Sequence, residues 1–127
     1  MMLLLDTCTF LYYLDGSKKL SEKAINAIES DTPLYLSQTT LWEIAIKKTI
    51  KKLNITESIF DLERICEEAG IEIIPIKNSY FETIQRLPYI HGDPFDRMII
   101  ATAIDEGLQL ITDDRMIQRY PGIQILY

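Results

Sequence analysis

His91-Gly92-Asp93-Pro94-Phe95-Asp96-Arg97-Met98-Ile99-Ile100-Ala101-Thr102-Ala103 is a turn dense in charge that runs straight into an apolar helix. Pro94 fixes its own φ and drives Asp93 out of the helical region, so the helix starts at or just after Phe95. Asp96 then occupies the first turn, where the macrodipole favours a carboxylate and is expected to keep it ionised. Met98 to Ala101, with Ala103 and Ile104 beyond, is apolar on most sides. That pattern predicts a helix buried against a sheet, with a charged residue at its mouth. A capping carboxylate with Arg97 as its surface partner also accounts for this stretch taken alone.

Outward from this helix the chain alternates strands and helices. Met2-Leu3-Leu4-Leu5 is a continuous apolar run of the kind a buried parallel strand gives, and it ends on Asp6-Thr7-Cys8. Asp6 therefore stands at the carboxyl end of a strand, where open α/β sheets hold their ligands. Helices are expected over residues 7–14, closed by Gly16, and over 21–28. Residues 33–37 read as a second strand, followed by a helix from about 39 or 40 to 48 that carries Glu43 near its beginning. A longer amphipathic helix is expected over 55–69 with Gly70 as its cap. Residues 71–76 form a third strand, whose Pro75 marks an edge or a terminus. A helix over 79–87 precedes the opening stretch. Gly107 ends the organising helix, and 108–111 form a fourth strand that delivers Thr112-Asp113-Asp114. A short helix near 115–119 and a terminal strand over 123–126 complete the order. This alternation predicts an α/β protein with a central, mainly parallel sheet of about four or five strands.

At 127 residues, with 47% hydrophobic residues and a mean hydropathy of +0.02, the chain has the size and composition of one globular domain spanning 1–127. The opening apolar run lacks the basic leader of a signal peptide, and no stretch approaches the roughly 18 apolar residues of a membrane span. A cytoplasmic protein without a membrane partner is the expectation. Cys8 and Cys66 lack C-x-x-C spacing and the chain holds one histidine, which argues against a disulfide scaffold or a zinc site. Both cysteines read as small buried thiols.

A net charge of −6 makes a poor first case for nucleic-acid binding. The charge is unevenly placed, however. Setting aside Asp6, Glu43, Asp96, Asp113 and Asp114 leaves 14 acidic residues against 13 basic ones. Lys47, Lys48, Lys51 and Lys52 fall within six positions and are the main candidates for gripping a phosphate backbone, although a solvated face explains them equally well. Glu43 likewise admits a plain reading as a solvated glutamate paired with Lys47 at i,i+4.

Two strands, each followed at once by aspartate, and two helices with Glu43 and Asp96 near their starts all address one edge of a parallel sheet. Several carboxylates within a few ångströms repel one another unless a cation neutralises them. With no histidine or cysteine in the set, oxygen ligands call for Mg²⁺ or Mn²⁺ rather than zinc. Such a site suits phosphodiester hydrolysis, the ion activating water and stabilising charge on the phosphate oxygens. His91, a lone histidine in a turn, needs no acid–base role in that chemistry.

Leu5-Asp6-Thr7, Trp42-Glu43, the block from Asp93-Pro94-Phe95-Asp96-Arg97 to Ala103, and Leu110-Ile111-Thr112-Asp113-Asp114 together resemble a PIN domain. They most closely resemble the VapC-type toxins of prokaryotic type II toxin–antitoxin pairs. The resemblance spans the whole chain and rests on the order and spacing of the four pieces. It implies a three-layer α/β/α fold and a Mg²⁺-dependent ribonuclease, with Asp6, Glu43, Asp96 and Asp114 as the catalytic, metal-holding set. It further implies that Thr7 and Thr112 support the site through their hydroxyls and that Asp113 takes the more variable middle position. A cognate antitoxin and a homodimer are expected on the same ground. Lys47, Lys48, Lys51, Lys52, Arg97 and Arg115 are candidate RNA contacts, with Arg97 alternatively paired to Asp93.

Two other classes account for parts of the pattern. A response-regulator receiver needs an aspartate after its third strand, where this chain has Lys77-Asn78, and it leaves Glu43 unexplained. A PIN-like module that binds RNA or protein without cutting should have lost one or more of the acids, and all four are present.

Overall fold

Leu3, Leu4 and Leu5 are each 3% exposed or less, which is what an apolar strand covered on both faces requires. The computed structural model describes residues 2–127; Met1, the first residue of the opening run, lies outside the described residues. The elements are β1 (Leu3–Leu5), α1 (Thr7–Asp15), α2 (Glu22–Glu29), β2 (Leu34–Ser37), α3 (Gln38–Thr49), α4 (Ile59–Ala69), β3 (Ile71–Ile74), α5 (Asn78–Arg86), α6 (Pro94–Glu106), β4 (Gln109–Ile111) and β5 (Gln124–Leu126), with a 3₁₀ turn at Ile117–Arg119.

The sheet runs β3-β2-β1-β4-β5, and every neighbouring pair is parallel. β1 lies at its centre, with Leu5 opposite Leu36 on one side and Ile111 on the other. The chain winds outward from β1 through β2 to β3, then returns to lay β4 against the free side of β1. Such a reversal opens a crevice between the two strands at their carboxyl ends, the usual ligand position in an open α/β sheet. Asp6 follows β1 there and Thr112 follows β4.

Alternation along β1 separates the two sides of the sheet. Leu3 and Leu5 pack with Phe10, Ala24, Ile44 and Leu62 from the helices of one layer. Leu4 packs with Tyr80, Met98, Ile99 and Ile100 from α5 and α6 on the other, which completes the three-layer α/β/α arrangement. Arg97 through Ala103 is buried without interruption, as expected of a helix pressed between the sheet and its neighbours.

Several boundaries differ from the sequence reading for local reasons. The helix expected over 55–69 begins at Ile59, because Ser58 forms a capping box: its Oγ accepts from Asp61 N–H at 3.0 Å while Asp61 Oδ2 accepts from Ser58 N–H at 2.9 Å. β3 stops at Ile74, before Pro75, which has no N–H to continue the ladder. α6 starts at Pro94, one residue earlier than expected. Asp93 is its N-cap, with Oδ1 accepting from the N–H groups of Phe95 and Asp96 at 2.8 and 3.2 Å. Cys66 is buried as expected, but Cys8 is exposed, since it lies on the side of α1 turned away from the buried Phe10. Among the described residues no helix is long and apolar enough to cross a membrane.

Candidate metal centre

Asp6 leaves the end of β1 in an extended conformation and caps α1, its Oδ1 accepting the Thr9 N–H at 2.8 Å. It is 3% exposed. Burial raises its pKa, Thr112 and the Thr9 N–H oppose that rise, and the charge of Asp113 adds to it.

Glu43 projects from the second turn of α3 into the interior and is also 3% exposed. Its Oε1 accepts from Thr7 Oγ1 at 2.7 Å, and Thr7 in turn lies 3.0 Å from Thr40 Oγ1. Its Oε2 accepts from Lys47 Nζ at 2.6 Å. The i,i+4 pair anticipated for a solvated face is therefore present, but it is directed inward.

Asp96 is half-buried at the third position of α6, facing the same crevice. Its carboxyl is pushed up to about 8, first by desolvation and then by the charges of Asp93, Glu43, Asp114 and Asp6. The expectation that the macrodipole would keep Asp96 ionised is thus overturned. A first-turn carboxylate gains only a small stabilisation from the helix, which burial beside four other acids outweighs.

After β4, the Thr112 hydroxyl accepts the Asp114 N–H at 3.0 Å, and Asp114 Oδ1 accepts from Met116 and Ile117 N–H at 2.8 and 3.3 Å. That turn aims Asp114 Oδ2 back at the crevice, where it lies 3.4 Å from His91 Nε2. The same nitrogen is 3.1 Å from Asp96 Oδ2. Asp113 is exposed and acts on Asp6 through charge alone.

One side-chain N or O atom each of His91, Asp96 and Asp114 lies within 4.8 Å of the others, so the two carboxylates are close enough for one small cation to reach both. Asp6 and Glu43 stand outside that tight group, yet both charges are felt at Asp96. The residues fit a divalent ion: acids arriving from four segments bring negative charge onto the buried Asp96, and their carboxylates are hard oxygen donors. His91 is the member that sequence reasoning set aside. Its signal was being the sole histidine, five residues before Asp96, but only a loop folding back on α6 brings the two together.

The basic candidates divide. Lys47 is engaged with Glu43, and Lys48 Nζ donates to Glu57 O at 2.6 Å. Lys51, Lys52 and Arg115 are exposed. The guanidinium of Arg97 is bonded within the protein, to partners other than the Asp93 carboxylate. The residue is 9% exposed, donating from Nη1 to Pro88 O at 3.0 Å and Tyr120 Oη at 3.1 Å, and from Nη2 to Ile84 O at 3.0 Å. Its position inside the buried face of α6 turns the guanidinium towards the end of α5 and away from solvent.

A wholly parallel five-stranded α/β/α sheet with carboxylates at its switch point defines a protein whose functional edge is acidic. The chain belongs to the PIN domain family, whose model matches residues 3–123. It is 29% identical over 119 residues to Ribonuclease VapC22 of Mycobacterium tuberculosis (strain ATCC 25618 / H37Rv), covering 92% of this chain and 90% of that protein. Its fold is similar to the crystal structure of VapBC2 from Rickettsia felis bound to a DNA fragment from their promoter, with a TM-score of 0.73, 19% identity and coverage of 99% and 98% of the two chains. It is likewise similar to DNA-bound VapBC from Salmonella typhimurium, with a TM-score of 0.67, 20% identity and coverage of 99% and 97%.

Proposed function

We propose that this PIN domain is a Mg²⁺- or Mn²⁺-dependent endoribonuclease, the toxin of a toxin–antitoxin pair, working in the cytoplasm. The observation that carries the reading is the convergence of the Asp96 and Asp114 carboxylates within 4.8 Å at the sheet's switch point, beside the buried Asp6 and Glu43; burial and these neighbouring acids push the Asp96 carboxyl up to about 8. Asp6, Glu43, Asp96 and Asp114 are the proposed catalytic and metal-holding set, with Thr7, Thr112 and Asp113 in support. A bound divalent ion supplies charge neutralisation and a polarised water for attack on a phosphodiester.

The chain's own residues prepare for that chemistry. Asp96 and Asp114 present carboxylate oxygens to one point, Asp6 is fixed by capping α1, and Thr7 orients Glu43. Of the candidate phosphate contacts, Lys51, Lys52 and Arg115 are exposed. The antitoxin partner is supported by the VapBC complexes among the structural neighbours, and the ribonuclease activity by the name of the M. tuberculosis relative. We assign a homodimer on family grounds, supported by the exposed Trp42, which lines one shallow groove with Leu41, Ala45, Ile59 and Ile76.

The test is incubation of purified chain, freed of any antitoxin, with RNA in the presence of Mg²⁺, Mn²⁺ or a chelator, beside Asp96→Asn. Metal-dependent loss of RNA that the variant lacks supports the reading. Equal loss in both refutes the site, and loss in neither favours a binding module that does not cut.

A further inference from the structure

The acids are not alone in the crevice. His91 Nε2 stands between Asp96 Oδ2 at 3.1 Å and Asp114 Oδ2 at 3.4 Å. Which form the ring takes is decided on its other side, where His91 Nδ1 accepts the Asp93 N–H at 3.2 Å. A nitrogen that accepts carries no proton, so the proton of the neutral ring is on Nε2, pointing at the two carboxylates.

The backbone of His91 is held as firmly as its ring. Tyr120 Oη accepts the His91 N–H at 2.8 Å and donates to His91 O at 3.3 Å. The same hydroxyl accepts from Arg97 Nη1, whose other bonds reach Pro88 O and Ile84 O. Residues from α5, α6 and the turn after β4 thus converge on one histidine in a loop. Arg97, a buried cation among the described residues with carbonyl and hydroxyl partners in place of a carboxylate, is explained as the anchor of that loop.

We propose that His91 is a positioning residue of the acidic centre, donating Nε2–H to Asp96 and Asp114 so that their oxygens are held at cation-binding separation. The ring does not offer a nitrogen lone pair to the ion. Its lone pair is spent on Asp93 N–H, which leaves the donor set all-oxygen and preserves the preference for a hard cation. The inference rests on the metal-centre reading, and it predicts that an outer partner of two ligands sets metal affinity as such partners do elsewhere, by 10- to 100-fold.

Because the chain has a single histidine, ¹⁵N-histidine labelling gives one imidazole to observe. In the metal-free wild-type protein, above the ordinary imidazole titration range, long-range ¹H–¹⁵N spectra should show the Nε2–H form. That form should persist when Mg²⁺ saturates the protein. An Nδ1–H form, or loss of the Nε2 proton on adding the cation, overturns the proposal. Calorimetric titration with Mg²⁺ supplies the second readout: His91→Ala should bind about 10-fold more weakly, and His91→Gln, which restores an N–H donor, should recover part of the loss. Unchanged affinity in a folded His91→Ala protein also overturns it. Absence of Mg²⁺ binding by wild type refutes the metal centre instead, a result separable from the ring's form in the metal-free protein.

Discussion

Lys47 Nζ lies 2.6 Å from Glu43 Oε2, so the acid contributed by α3 has a permanent counter-charge while Asp96, across the crevice, has none. Glu43 is 3% exposed and both its oxygens are occupied, by Thr7 and by Lys47. The four acids are therefore not equivalent. Asp96 and Asp114 each turn Oδ2 to the crevice, Asp114 while its Oδ1 caps the following turn, whereas both oxygens of Glu43 are taken by structural bonds.

Lys47→Met should destabilise the protein by on the order of 1–2 kcal/mol, because it strands a buried carboxylate. The Lys47 side chain is 38% exposed, which keeps the figure at the low end for such a loss. Adding Glu43→Gln should recover about 1 kcal/mol, which a denaturant double-mutant cycle reads directly. Additive losses would mean that the pair is uncoupled.

Asp96→Asn should abolish RNA cleavage by at least roughly 100-fold, about 3 kcal/mol of lost transition-state stabilisation. The same change should leave metal-free stability at neutral pH unchanged or improved. The folded-state pKa of about 8 lies above the ordinary carboxylate value of 3.8. The native state therefore holds a proton that the unfolded chain releases. The stability this group contributes is complete below about pH 4 and is lost as pH rises towards 8. Chelated wild type should lose stability across that window more steeply than Asp96→Asn, as followed by urea midpoints. Parallel pH profiles would contradict the electrostatic account of the crevice.

Cys8 offers a reporter. Although Cys8 reaches solvent, its thiol is partly packed over the crevice, and desolvation with the charges of Asp6, Asp96 and Glu43 pushes it up to about 12, so it should alkylate slowly. A cation seated among those acids opposes their charge and should speed alkylation of Cys8 by iodoacetamide several-fold. Cys66 is buried, its thiol pushed up to about 11 chiefly by burial, and should stay inert as an internal control. An unchanged Cys8 rate at metal concentrations that support cleavage would place the ion elsewhere.

Arg97→Ala should cost about 3 kcal/mol, since two carbonyls and the Tyr120 hydroxyl lose a buried charged donor together. For a chain of this size that corresponds to a melting temperature lower by about 10 °C. The salt dependence of RNA binding, by contrast, should be the same as in wild type, because Arg97 neutralises no phosphate. Arg115→Ala should show the reverse, full stability with a shallower salt slope.

The sequence by itself determined the strand–helix alternation and the position of every acid relative to a strand end or helix start. Those features are local: a run such as Leu3-Leu4-Leu5 must be buried on both faces, and Pro94 and Gly107 bound a helix wherever it packs. It also placed Asp6 and Asp114 at strand carboxyl ends, because that requires only a parallel sheet. Tertiary structure decided what depends on neighbours distant in the chain. Arg97 reads as a surface charge beside Asp96 until α5 is laid against α6. His91 reads as a turn residue until Tyr120, 29 positions later, holds its backbone. Asp96 itself shows the division most clearly. Its place in the first turn of α6 is written locally, and its protonation state is not, since burial and the charges of Asp93, Glu43, Asp114 and Asp6 outweigh the helix that bears it.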